Sequence, residues 1–90
     1  PFKTLQYCHE MMSYIQESAE DGNSNSATDA GVAAEVANAG AKGAALNVII
    51  NLNDIDDNKY CQKIKNETNK LVSETEEKLN TIRQIIFSKI

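Results

Sequence analysis

The feature that most constrains this chain is a regular row of small residues in its middle. The row consists of Ala30, Ala34, Ala37, Ala41, Ala44 and Val48, at alternating spacings of four and three. This spacing places the six residues on one face of an α-helix, and side chains this small let a second helix approach to about 8 Å. Three glycines, Gly31, Gly40 and Gly43, lie in the same segment. Each costs about 1 kcal/mol relative to alanine in a helix interior, so we expect this helix to depend on packing.

Apolar residues also repeat at helical spacing on either side of this row. The first set is Phe2, Leu5, Cys8, Met12, Ile15 and Ala19, and the last runs from Cys61 to Ile90. This periodicity is typical of amphipathic helices. We therefore predict an all-α fold, a small antiparallel three-helix bundle with a long C-terminal helix, in one domain over residues 1–90. The expected helices are about 2–20, 29–50 and 56–89, with a linker at 21–28. A short buried strand at 46–52 is the alternative for the end of the second helix.

Polar residues mark both connections. Ser26 or Thr28 is the expected N-cap of the second helix. The second connection spaces Asp54, Asp56 and Asn58 like the start of a calcium loop, but lysines stand where such a loop needs its glycine and its last glutamate. We therefore expect these acids to cap the third helix and not to bind calcium.

Size and charge restrict the classes of function. A chain of 90 residues buries only a thin core. Its net charge of −4 argues against general nucleic-acid binding, and no apolar run is long enough to span a membrane. Cys8, His9 and Cys61 lack the paired spacing of a zinc site. The chain begins with Pro1 and not Met, so we expect a processed protein or a segment of a longer one.

The two cysteines lie on the apolar faces of the first and third helices. In an up-down-up bundle these helices start at the same end, so we predict a Cys8–Cys61 disulfide that contributes about 4 kcal/mol. Two buried free thiols are the alternative. A disulfide implies an oxidising compartment, and the sequon at Asn66 agrees with it. We therefore predict a secreted or cell-surface glycoprotein.

Residues for catalysis are scarce in this sequence. The stretch from Gly40 to Gly43 lacks the spacing of a phosphate-binding loop, and His9 and Glu10 point to different faces of a helix because they are adjacent. We therefore predict a protein that is not an enzyme, has no catalytic residues and needs no cofactor or metal.

The third predicted helix is longer than the other two, so its last ten residues have no neighbour within one chain. These residues include Ile82, Ile85, Ile86, Phe87 and Ile90. An exposed apolar end of this kind marks a partner surface. We predict a homodimer or a receptor contact there.

The segment from Ala33 to Ile50, followed by Cys61-Gln62-Lys63-Ile64, resembles the Ala/Gly-rich helix and cysteine-containing segment of RIFIN-type variant surface antigens of malaria parasites. The resemblance covers about a third of the chain, and only ten residues separate Ile50 from Cys61, where a longer stretch is expected. It implies display on infected red cells and binding to immunoglobulin-like receptors, and it identifies no binding residue.

We predict a non-catalytic protein that binds another protein through its helical faces. The alternative is a carrier of a small apolar ligand, in a cavity lined by Met11, Met12, Ile15, Leu71 and Ile82. A third possibility is structural self-assembly.

Overall fold

The computed structural model describes all 90 residues as three α-helices. They are α1 (Phe2–Asp21), α2 (Ser24–Leu52) and α3 (Asn58–Lys89), and each packs against the other two. The Cα atoms extend over 51 × 15 × 14 Å, so the helices lie side by side along one axis. The prediction of an all-α, three-helix fold is confirmed. The alternative strand at 46–52 is wrong, because α2 continues through Leu52. None of the three helices has the length and apolar character needed to cross a membrane.

The turn between α1 and α2 contains only Gly22 and Asn23, which makes α2 longer than predicted. The Asn23 side chain accepts hydrogen bonds from the backbone N–H groups of Asn25 and Ser26, both at 3.1 Å. Asn23 is therefore the N-cap, and α2 begins at Ser24 instead of near residue 29. At the other connection, Asp57 accepts from the backbone N–H of Tyr60 at 3.0 Å. The third helix is therefore capped by Asp57 and not by Asp54 or Asp56, the acids expected to cap it.

The alanine row forms the centre of the bundle. All six members, Ala30, Ala34, Ala37, Ala41, Ala44 and Val48, are buried. The first three pack in one cluster with Leu79, Ile82 and Ile86 of α3 and with Met12 and Ile15 of α1. Because alanine side chains are short, the branched residues of α3 lie close to the α2 backbone, and this contact supplies the packing that a glycine-containing helix needs.

The C-terminal end of α3 is paired within the chain, contrary to the length argument. Ile82 and Ile86 are 0% and 8% exposed. The Lys89 ammonium donates hydrogen bonds to the backbone carbonyls of Glu20 and Gly22, the second at 2.7 Å. The reason is the early start of α2, whose first turns cover the end of α3. The uncovered end of the bundle is the opposite one, where residues 53 to 60 are all exposed.

The predicted Cys8–Cys61 disulfide is wrong, and both cysteines are free. Cys8 lies beside α2 at Gly40, where an added Cβ would stand 3.2 Å from the Cys8 Sγ. The Cys61 thiol donates instead to the backbone carbonyls of Leu52 and Ile55, at 3.5 and 3.6 Å. Gly40 and Leu52 are twelve residues apart on α2, about 18 Å along its axis. The Cα atoms of a disulfide must lie within about 7 Å of each other.

Candidate functional site

The largest surface depression is a groove of about 380 Å³ between α2 and α3. Nine residues line it: Lys42, Ala45, Leu46, Ile49, Ile50, Asn53, Thr68, Asn69 and Val72. One wall is apolar because α2 presents Leu46 and Ile50, whose side chains are 73% and 60% exposed. Small-molecule sites combine such a wall with a few polar groups, so this groove is the candidate site.

Thr68 is the most unusual polar residue of the groove. It is only 1% exposed, yet its hydroxyl has no hydrogen-bond partner. The other α3 threonines behave differently, since Thr75 donates to the carbonyl of Leu71 at 2.7 Å and Thr81 to that of Glu77 at 3.2 Å. A buried hydroxyl without a partner costs free energy. Thr68 therefore places an unused donor and acceptor beneath the floor of the groove.

The positively charged residue of the groove is Lys42, which lies at one rim. The Lys42 ammonium lies 3.0 Å from a Glu76 carboxylate oxygen, and both side chains are about half exposed. An exposed ion pair of this kind contributes little to stability. Lys42 can therefore exchange its partner for an anionic ligand at small cost.

The histidine of this chain pairs with a residue far away in the sequence. His9 Nε2 of α1 lies 3.0 Å from Glu74 Oε1 of α3, at a partly buried position. Sequence reasoning missed this pair because the two residues are 65 positions apart. Lys78, four residues after Glu74 on α3, donates to the Ser13 hydroxyl at 2.6 Å and not to Glu74.

The pair does not belong to the groove. His9 and Glu74 lie between α1 and α3, whereas the groove lies between α2 and α3. No three residues among the histidine, cysteines, aspartates and glutamates are grouped so that they could hold a metal ion.

Arg83 and Glu35 form the best-defined ion pair between α2 and α3. Two guanidinium nitrogens donate to the two carboxylate oxygens, each at 2.7 Å. These hydrogen bonds from Arg83 lower the pKa of Glu35 below its usual value of 4.5, against a smaller opposing effect of burial. The pair flanks a second depression of about 240 Å³ that also contains Val32 and Phe87.

The residues predicted to bind a partner divide into two groups. Ile82 and Ile86 are buried in the core, so the prediction that they face a partner is wrong. Ile85 is partly buried, while Phe87 and Ile90 are 72% and 67% exposed. A partner surface at Phe87 and Ile90 stays a prediction.

The other predicted binding features find no shared site. Met12, Ile15 and Ile82, expected to line a carrier cavity, pack against one another in the core. Asn66 is exposed in the first third of α3 and accepts a hydrogen bond from Gln62 at 3.0 Å.

Comparison with known proteins relates this chain to named enzymes. A family model described as formiminotransferase-cyclodeaminase matches residues 1–70. The methenyltetrahydrofolate cyclohydrolase of Methylorubrum extorquens (strain AM1) is 33% identical over 90 residues, which is 100% of this chain and 43% of that relative. The chain therefore spans less than half the length of this curated relative. No solved structure matches the chain.

These matches correct the RIFIN resemblance. The Ala/Gly-rich segment that carried it lies within residues 1–70, which match the formiminotransferase-cyclodeaminase model. The small residues of this segment are explained by close packing of α2 in the bundle, a property of helices in many unrelated proteins. Similar composition alone therefore gave the wrong family.

The predicted function is also contradicted. A non-catalytic protein that binds other proteins, with an apolar-ligand carrier as the alternative, does not agree with a family and a relative that are named for enzymes. The predicted secretion or surface display is also wrong: the cysteines on whose disulfide it rested are free, and the matched family and relative are named for a formiminotransferase-cyclodeaminase and a methenyltetrahydrofolate cyclohydrolase. The expected glycoprotein character, with its sequon at Asn66, depended on that secretion and is withdrawn with it.

Proposed function

Because the chain belongs to the formiminotransferase-cyclodeaminase family, we propose that it forms part of an enzyme that acts on a one-carbon derivative of tetrahydrofolate. The observation that carries this proposal is the alignment of the whole chain with a relative named for methenyltetrahydrofolate hydrolysis. Since the chain spans less than half of that relative, we propose only one part of the activity for these three helices. That part is the binding of the folate, in the groove between α2 and α3.

The chemistry of the substrate class sets what such a site must provide. Methenyltetrahydrofolate carries one carbon between two nitrogens, and hydrolysis adds water to that carbon, breaks one carbon–nitrogen bond and releases a proton. The molecule combines a flat ring system that forms hydrogen bonds with a glutamate tail that bears carboxylates. Its site therefore needs an apolar wall, a few polar groups and a cation.

The groove contains these three components. Leu46, Ile50 and neighbouring aliphatic side chains form a wall against which a flat ring can lie. Thr68 supplies the unpartnered hydroxyl, and the exposed Asn69 is the next residue on α3. Lys42 at the rim is placed to meet a carboxylate of the tail. His9 and Glu74 lie outside the groove, so we assign them no step of the hydrolysis.

Binding of 5-formyltetrahydrofolate to the 90-residue chain, measured by isothermal titration calorimetry, tests the proposal. We expect saturable binding to one site per chain. Thr68→Val keeps the shape of the side chain and removes the hydroxyl, so it should weaken binding about tenfold, as expected for one hydrogen bond of about 1.4 kcal/mol. Thr81→Val, the same substitution outside the groove, should leave the affinity unchanged.

Two results would contradict the proposal. One is the absence of measurable binding at millimolar ligand by a chain that is folded by circular dichroism. The other is equal affinity of the Thr68→Val and Thr81→Val variants, which would place the folate elsewhere on the molecule.

A further inference from the structure

The second depression between α2 and α3 is a separate site from the groove. Its volume is about 240 Å³, and it lies near the start of α2 and the end of α3. Six of the residues that line it are Gly31, Val32, Glu35, Arg83, Ile86 and Phe87. None of them lines the groove. Gly31 and Leu46, one residue of each site, are fifteen positions apart on α2, about 22 Å along its axis.

The walls of the second depression are apolar and include an aromatic ring. Phe87 and Val32 are 72% and 65% exposed, whereas Ile86 is buried. Gly31 contributes no side chain, and a Cβ added there would lie 3.5 Å from the Ile86 side chain. The glycine therefore leaves room beside Ile86 that any other residue would occupy. Aromatic rings pair well with a second ring in an offset or edge-to-face arrangement, so Phe87 offers a contact for a flat ligand.

One edge of the second depression supplies hydrogen bonds of both kinds. A guanidinium has five N–H donors. Arg83 uses two of them on Glu35 and a third on the Asn80 side chain at 3.2 Å. The other two donors have no partner in the chain, and the bonds to Glu35 and Asn80 hold the guanidinium plane in position. The Glu35 carboxylate oxygens can each accept a further hydrogen bond, because a carboxylate has about four acceptor positions.

The charges at this edge are already balanced. Glu35 neutralises Arg83, and the next pair along the same two helices, Lys42 with Glu76, is balanced in the same way. The chain as a whole has a net charge of −4, so an added anion would be repelled. The group that fits is a neutral one that accepts from Arg83 and donates to Glu35. A primary amide does both, through its carbonyl oxygen and its NH₂ group.

We propose that the second depression binds a neutral, planar aromatic amide, with its ring against Val32 and Phe87 and its amide group on the Arg83–Glu35 pair. Sites for drug-sized ligands measure about 300 to 1,000 Å³, so this smaller depression takes a ligand with a single ring. The inference does not rest on the proposed function, because it uses other residues and its test contains no folate.

Titration of the ¹⁵N-labelled chain with benzamide, followed by two-dimensional NMR, tests the site. We expect saturable shifts that centre on the backbone amides of Gly31, Val32 and Phe87, with a dissociation constant on the order of 1 mM, as for other ligands of this size. Benzoate has the same ring but a negative charge and no N–H donor, so it should bind at least tenfold more weakly.

Matched glycine variants test the position of the ring. Gly31→Leu fills the space beside Ile86 and should weaken benzamide binding at least tenfold. Gly43→Leu is the control, because an added Cβ there meets nothing within 4 Å and Gly43 lies outside the depression. Circular dichroism checks that both variants remain helical. Phe87→Ala changes an exposed side chain and should also weaken binding, while Thr68→Val, in the groove, should leave it unchanged.

Four results would overturn the inference. They are the absence of saturable shifts at benzamide concentrations far above 1 mM, benzoate binding as tight as that of benzamide, equal affinity of the Gly31→Leu and Gly43→Leu variants, and shifts that centre on the groove or are lost in Thr68→Val. The last result would place the amide in the groove and not in the second depression.

Discussion

At the scale of single residues, two buried polar side chains have an oxygen that the fold does not pair. Thr68 and Asn38 each hold a buried oxygen without a partner. A buried polar atom without a partner lowers the free energy of unfolding, so its presence in a native structure calls for an explanation. For Thr68, the explanation we propose is a hydrogen bond to a ligand in the groove. The free chain does not have this ligand.

Thr68→Val should therefore raise the stability of the chain while it weakens folate binding. Removing a buried hydroxyl that has no partner should increase the free energy of unfolding by about 1 kcal/mol. Urea unfolding followed by circular dichroism measures this change. Thr75→Val is the matched control, because Thr75 is equally buried but donates to Leu71, and it should lose about 0.5 to 1 kcal/mol. Equal effects of the two substitutions would show that the Thr68 hydroxyl is satisfied.

At the scale of the helices, the glycines of α2 differ in the space around them. A Cβ added at Gly31 would meet Ile86 at 3.5 Å, an ordinary contact, whereas one at Gly40 would lie 3.2 Å from the Cys8 sulfur. Gly31→Ala should therefore increase the free energy of unfolding by about 1 kcal/mol, the difference in helix propensity.

Gly40→Ala should gain less than Gly31→Ala, because the sulfur must move. Thermal melts in the background of Cys8→Ala provide the control, since the smaller side chain removes the tight contact. In that background the two glycine substitutions should give similar increases. A larger gain from Gly40→Ala than from Gly31→Ala in the unaltered chain would contradict this packing.

The contact between α2 and α3 should depend on pH through Glu35. The hydrogen bonds from Arg83 lower the pKa of Glu35 in the folded chain, so the carboxylate form stabilises the fold. This contribution is complete well above the usual pKa of 4.5 and is lost as the pH falls through the lower folded value.

Arg83→Gln should lower the melting temperature at neutral pH, and the difference from the unaltered chain should shrink as the pH falls below 4.5. Differential scanning calorimetry over a pH series measures it. Lys70→Gln removes an exposed cation of α3 that has no ion-pair partner, and should give no such pH-dependent difference. A constant difference between Arg83→Gln and the unaltered chain at all pH values would contradict a role of Glu35 ionisation.

The sequence predicts the helices better than their alignment with one another. Periodicity is a local property, so the faces of α1, α2 and α3 follow from residues such as Leu5, Ala34 and Ile82. The start of α2 does not, because several neighbouring polar residues can cap a helix and only the structure selects Asn23. Because α2 begins five residues earlier than predicted, the unpaired end of the bundle is the opposite one from that expected. For the same reason Cys8 and Cys61 lie too far apart for a disulfide.

The candidate site depends on contacts between distant residues and was therefore missed. Leu46 and Ile50 follow from the sequence as apolar residues near the end of a helix, but their position beside Thr68 requires the alignment of α2 with α3. His9 and Glu74 likewise meet only in the folded chain. The unusual composition of α2 was a usable signal, since apolar residues on all sides indicate a helix with more than one partner.

At the scale of the whole molecule, the bundle is held without a covalent crosslink. Cys8 and Cys61 are separated by about 18 Å along the axis and are both partly exposed. Both thiols should react with iodoacetamide without prior reduction, and intact-mass spectrometry should show two additions on the folded chain. A chain that takes up the reagent only after reduction would contradict this arrangement.

The tight turn at Gly22 has a consequence for the whole molecule. An added Cβ there would lie 2.6 Å from the Ser26 hydroxyl oxygen and 2.9 Å from the Ser18 carbonyl oxygen. The turn between the first two helices therefore has no space for a larger residue. One inserted residue would rotate the following helix by about 100° relative to its predecessor. Alanines would then leave the interior and bulkier side chains would enter it. The length of this two-residue connection thus sets the rotation of the middle helix about its own axis, and with it which side chains of that helix are buried and which face outward.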